Sequence, residues 1–206
     1  MKKSIFLIVL LVALLSSCAN QAEYIITHAR WLTSPDTEHL VADAELIHIA
    51  TVVGVSFVVL DRETKLPPTE ATLEHNFELF TLWEVDIREV LMGEPLHSYV
   101  ATHGGVQHNY TRAQLRALAP HGIEAINIFS PSIDIEIGST YLFILYQCIE
   151  EYIGTGIMNP LQSVLRLDDP FMEHHGGITV ESIITTAAGI NAWEDFYSQW
   201  QRGEFR

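Results

Sequence analysis

Apolar and polar residues alternate along this chain in long stretches, and that alternation predicts a mainly β protein. Ile47, Ile49, Val53, Val55, Phe57 and Val59 recur at period two, so 44–59 reads as one long strand with an apolar face. Gly54 is a natural bulge or coiling point inside it. The segment Thr64-Lys65-Leu66-Pro67-Pro68-Thr69 ends the strand, because paired prolines cannot donate to a ladder. A second strand over 77–88 sets Phe77, Leu79, Thr81, Trp83, Val85 and Ile87 against Glu78, Phe80, Leu82, Glu84, Asp86 and Arg88. One face is predicted buried and the other turns charged toward its end. Gly93-Glu94-Pro95 leads into a third strand over 96–102, which His103-Gly104-Gly105 closes. The run 141–148, YLFILYQC, is apolar on both faces and predicts a central strand. A further strand is expected over 164–167, with Asp168-Asp169-Pro170 as its stop.

Helical patterns sit at the ends and in one insertion. Ser34-Pro35-Asp36 predicts a helix start with Pro35 at the first helical position, then a short turn of helix over 37–42. Thr111-Arg112-Ala113-Gln114 fits a capping box ahead of a short helix over 112–118, closed by Pro120 and Gly122. Asn191 is the expected cap of a last helix. In it Trp193, Phe196, Tyr197 and Trp200 fall at i, i+3, i+4 and i+7, one aromatic stripe expected to pack on the sheet. The run Ile5 to Leu15 stands apart, eleven apolar residues behind Lys2 and Lys3. A helix needs ~20 such residues to cross a bilayer, so this run reads as the apolar core of a signal peptide. The expected organisation is a signal peptide over 1–17, a tether over 18–33 and a single domain over 34–206. Its strands, irregularly spaced, close most naturally into a small antiparallel barrel with a helical insertion and a C-terminal helix.

Composition narrows the surroundings. Cleavage after residue 17 removes two of the eleven basic residues and no acidic one, leaving nine against 26, a net charge of −17 with His neutral. So acidic a body repels phosphate backbones and anionic headgroups, which argues against nucleic-acid partners and polybasic membrane attachment. The chain has two cysteines, Cys18 and Cys148. Modification of the first leaves no intramolecular disulfide to form.

The junction Leu15-Ser16-Ser17-Cys18 resembles the lipobox of bacterial lipoproteins. That resemblance implies cleavage before Cys18, diacylglyceryl transfer to its thiol, and attachment to a membrane of the bacterial cell envelope. The membrane would be the outer one where the host has one, and otherwise the outer face of the cell membrane. A second set of motifs follows in order: Ala42-Asp43-Ala44, Glu89-Val90-Leu91-Met92-Gly93, His103-Gly104-Gly105, and Gly138-Ser139-Thr140-Tyr141-Leu142-Phe143-Ile144-Leu145. These are similar to a group of small exported bacterial proteins patterned AD, EVLKG, GG and GxxYLLFL, with Met92 in place of the usual lysine. The resemblance implies an OB-like barrel and brings no activity with it.

Ten histidines make imidazole the over-represented reactive group. His97 and His103 share a face of the third strand, and His108 follows the glycine pair, so the three could converge on zinc or copper. A metal-binding protein or metal-dependent hydrolase is therefore one reading. Period-two alternation alone also puts His97 and His103 on one face. No nucleophile elbow, HExxH, P-loop or GxGxxG occurs, and Cys148 ends an apolar strand where a thiol is a small core residue. The segment 103–124 breaks the strand pattern. It carries His103, His108 and Tyr110, a set of donors, acceptors and one aromatic ring on a loop held by a rigid barrel. A binding or assembly module, with a protein or small-molecule ligand at that loop, is the leading expectation. Nothing in the sequence makes the chain an enzyme.

Overall fold

The two longest alternating stretches form the two longest strands and pair with each other. The structure, a computed structural model, describes residues 23–29, 33–61, 64, 66–68, 77–106, 109–130, 134–147, 155–157, 161–168, 171–174 and 176–205. Among them the strands are β1 (Glu23–His28), β2 (Leu46–Asp61), β3 (Phe77–Met92), β4 (Tyr99–His103), β5 (Ala125–Ser130), β6 (Thr140–Gln147), β7 (Thr155–Ile157) and β8 (Val164–Arg166). The helices are α1 (Thr37–Asp43), α2 (Thr111–Leu118), α3 (Val180–Ala188) and the C-terminal α4 (Ile190–Gln201). The fold is mainly β.

β2 runs antiparallel to β3 along one edge and to β6 along the other. β3 continues antiparallel to β4, β4 pairs parallel with β7, and β7 pairs antiparallel with β6. The pairing path thus leaves β2 and returns to it. β8 shares an edge of β6 with β7, and β1 and β5 form a separate parallel ribbon in register from Glu23–Ala125 to His28–Ser130.

Two cores follow from the two faces of β2 and β6. Leu46, Ala50, Val52, Trp83, Val85, Val100, Tyr141, Phe143 and Leu145 bury one against another on the inner face. Ile47, Ile49, Leu142 and Ile144 point the other way, into a second core with Leu40, Ile183, Ile184, Trp193 and Phe196 of the helices. The expected packing of the last helix is what the structure has. Trp193 and Phe196 are buried, Tyr197 and Trp200 half-buried, and Trp200 Nε1 donates to the Leu167 carbonyl at 2.7 Å.

Several local expectations are corrected. The residues expected on one face of the first strand do not share one core: Ile47 and Ile49 join the helix-facing core, Val55 borders the inner one, and Phe57 and Val59 pack with Leu79, Leu118, Ile126 and Ile128, because the ladder shifts register three times, the last between Val52 and Gly54. Val53 is the extra residue there and is exposed, so the bulge expected at Gly54 is present. The predicted third strand starts later, at Tyr99, which leaves His97 outside it. The stretch expected as a tether contains β1, whose partner β5 lies about a hundred positions along the chain. The capping box at Thr111 does not form. Tyr110 is the cap, and Gln114 turns away to hold Val106, accepting from its N–H at 2.8 Å and donating to its carbonyl at 2.7 Å. Helix α1 is capped by Asp36, so Pro35 precedes the cap, and α4 is capped by Gly189 without a side-chain bond from Asn191. A capping box does form at α3, between Thr179 and Ser182.

Candidate functional site

Register builds the site. His103, the last residue of β4, pairs with Phe80 of β3, and Glu78 lies two residues along β3 on the same face, a diagonal neighbour. His103 Nδ1 and Glu78 Oε1 are 2.9 Å apart. The Glu78 side chain is only 13% exposed and that of His103 36%. The imidazole packs on Phe80 at 4.8 Å between ring centres and meets Phe129 of β5 edge-on at 6.4 Å.

The glycine pair then fixes β5 beside this corner. Gly104 N donates to the Leu79 carbonyl at 2.7 Å and Gly105 N to the Asn127 carbonyl at 2.8 Å. Gly104 has φ +78, and a Cβ there would lie 2.8 Å from the Phe129 ring and 2.9 Å from the Asn127 carbonyl, so only glycine fits. Asn127 in turn holds β1, its Oδ1 accepting from Thr27 Oγ1 at 2.8 Å. Between ribbon and sheet these residues leave a cavity of about 240 Å³. Phe77, Glu78 and Leu79 of β3 form one wall, Asn127 and Phe129 of β5 another, and Thr27 and Gly104 complete it. Among the described residues the walls hold a carboxylate, an amide, a hydroxyl and two phenyl rings, and no lysine or arginine.

Of the candidate side chains picked out by sequence that lie among the described residues, His103 alone stands at this cavity's edge. Tyr110 faces elsewhere, toward Phe57 at 6.0 Å and Trp83 at 6.4 Å. His97 stacks on Tyr99 at 5.1 Å. His108, Cys18 and Cys148 lie outside the described residues. Among the described residues no three His, Cys, Asp or Glu side chains come together as a metal site. Glu78, Asn127, Phe129 and Thr27 escape sequence reading. Alternation alone puts Glu78 on the polar face, and only the cross-strand register reveals its histidine.

A second histidine is unusual for another reason. His48 on β2 is 1% exposed, lies edge-on to Phe143 at 5.6 Å, and neither ring nitrogen has a hydrogen-bond partner among the described residues. Desolvation pushes its imidazole down to about 4, so it is neutral at physiological pH.

No protein-family profile matches the sequence, and no curated protein is similar to it. No helix among the described residues is long and apolar enough to cross a membrane.

Proposed function

We propose that this chain is a lipid-anchored binding protein of the bacterial cell envelope, with an OB-like barrel carrying a small-ligand pocket at the end of β4. The five-strand pairing path β2–β3–β4–β7–β6 that returns to β2, with α2 inserted between β4 and β6, supports the OB-like reading. The leader and Cys18 support the anchor. One observation carries the pocket. The cavity between ribbon and sheet forgoes packing contacts that a purely structural corner would make, and a carboxylate, an amide, a hydroxyl and two phenyl rings line it. Such an arrangement suits a site whose missing contacts come from a ligand.

The test is a melting panel on the full-length protein in detergent, run against amines, amino acids, sugars and carboxylates. At least one class raises Tm, as binding to the folded state requires, and Asn127→Leu abolishes the rise. A wild type indifferent to every class, or a folded variant that keeps the rise, ends this reading.

One observation also favours a second reading. Metal-binding imidazoles characteristically bond a carboxylate through the nitrogen that does not bind the metal, and His103 bonds Glu78 through Nδ1. Zinc or copper on His103, with a further ligand such as His108, would make the protein a metal handler or a metal-dependent hydrolase; His97, stacked on Tyr99 at the other end of β4, is too far away to join it. Metal analysis of a soluble form starting at Ala19 decides it: stoichiometric metal lost in His103→Ala supports it, and a metal-free protein removes it.

A further inference from the structure

We infer that the corner formed by β1 and the start of α2 is the face this protein lays on the bilayer, with Arg112 and Arg116 on phosphate groups of the lipid heads; this rests on the reading of Cys18 as a lipid anchor. Chain length is the first argument. β1 begins at Glu23, five positions after Cys18, so that end of the ribbon lies within ~18 Å of the cysteine that would carry the acyl chains. Position in the fold is the second. Tyr24 Oη and Thr111 Oγ1 share a hydrogen bond at the first turn of α2, and Leu115 and Leu118 pack with Tyr24, Ile126 and Ile128. The anchored end of β1 and the helix therefore form one corner. On β2 this corner borders Phe57 and Val59, whereas α3 and α4 pack at Ile47 and Ile49, ten positions or ~30 Å along the strand.

Charge is the third. The chain is strongly acidic, yet no Asp or Glu occurs between Glu94 and Glu124. Within that stretch α2 carries Arg112 and Arg116 one turn apart, both exposed, while Gln114 and Leu118 form its buried side. The other described arginines are tied to acids: Arg88 to Asp86 at 3.3 Å, Arg166 to Glu136 at 3.0 Å and Asp168 at 3.1 Å, and Arg202 to Glu204 at 2.6 Å. A planar guanidinium offers paired donors to phosphate oxygens. Attraction at α2 and repulsion from the acidic remainder thus turn toward the headgroups the same corner that the short tether holds near them. Ile25 and Ile26, 51% and 52% exposed on β1, add apolar side chains to that corner. The acyl chains supply the affinity, and the arginines set the orientation.

Fluorescence of the full-length protein in vesicles of phosphatidylethanolamine and phosphatidylglycerol, doped with a lipid bearing a headgroup nitroxide quencher, tests the inference. In a Cys148→Ser background the fluorophore is attached at Ile26→Cys on β1, Ala113→Cys on α2 or Glu194→Cys on α4, all exposed positions. The expected result is strong quenching at Ile26→Cys and Ala113→Cys and little at Glu194→Cys. Adding Arg112→Glu and Arg116→Glu relieves most of the quenching at the first two sites, because reversed charge repels the phosphates. Equal quenching at all three sites, greater quenching on α4, or quenching that survives the charge reversal overturns the inference. The two corner reporters stand on different elements, so if one variant does not fold the other decides. Protein that stays out of the vesicles removes the anchor and this inference with it, whereas anchored protein without the difference between sites overturns the inference alone.

Discussion

Two residues carry consequences out of proportion to their size. His48 sits among apolar side chains with its imidazole held neutral by burial, down to about 4 against an ordinary 6.5. As pH falls below 6.5 the unfolded chain takes up this proton first, and the folded chain does not until about 4. Stability is therefore complete above the unfolded value and drains away between the two, by about 3 kcal/mol at 1.36 kcal/mol per unit. Urea melts across that range should fall steeply for the wild type and more shallowly for His48→Leu; parallel slopes would contradict the burial. Gly104 is the second. Its positive φ and the ring and carbonyl crowding its Cα predict that Gly104→Ala costs ~1–3 kcal/mol and narrows the cavity. An unchanged urea midpoint would show that the corner relaxes.

Among the elements, the helices on the outer face are the ones whose packing can be read most plainly. Phe196 is 1% exposed between Trp193 and Phe205, both stacked on it. Phe196→Ala should cost ~3–5 kcal/mol in denaturant melts. A loss under about half a kcal/mol would place the stripe outside the core. At α3 the Thr179–Ser182 cap predicts a loss of about 1 kcal/mol for Thr179→Ala, measurable the same way. These two helices also show what the sequence could and could not reveal. The stripe of α4 is legible because large aromatics at helical spacing leave one face. Helix α3 is not, because Val180, Ile183, Ile184, Thr185 and Thr186 are β-branched and favour strands locally, and its cap lacks the Glu or Gln that marks a capping box. Burial of Val180, Ile183 and Ile184 against the sheet overrides that preference. Strands β1 and β5 stay hidden for a different reason. Each is six residues of mixed character, and a parallel partner about a hundred residues away leaves no local trace.

For the whole molecule, the candidate site is the least legible feature because it is made of register. His103 was visible as a histidine ahead of a glycine pair, but its carboxylate partner is 25 positions away and the remaining walls belong to the ribbon. The proposed lipobox, by contrast, is an entirely local pattern, Leu15-Ser16-Ser17-Cys18. If Cys18 is lipidated, Cys18→Ser moves the protein from the detergent phase to the aqueous phase, since dual acyl chains hold where one is marginal. A membrane-fraction protein with an unmodified thiol at that position would end the anchor.

The frame, the ribbon and the Glu78–His103 pair converge on one claim, that ligand binds at the end of β4. Amide-resolved NMR of the full-length protein in detergent micelles, titrated with the compounds that raise Tm, tests it most directly. The predicted result is that Gly104, Asn127 and Phe129 shift together and saturate at one affinity, while Trp193 and Phe196 of α4 stay unmoved. Saturable shifts confined to residues away from the pocket, or none there at all, would contradict it.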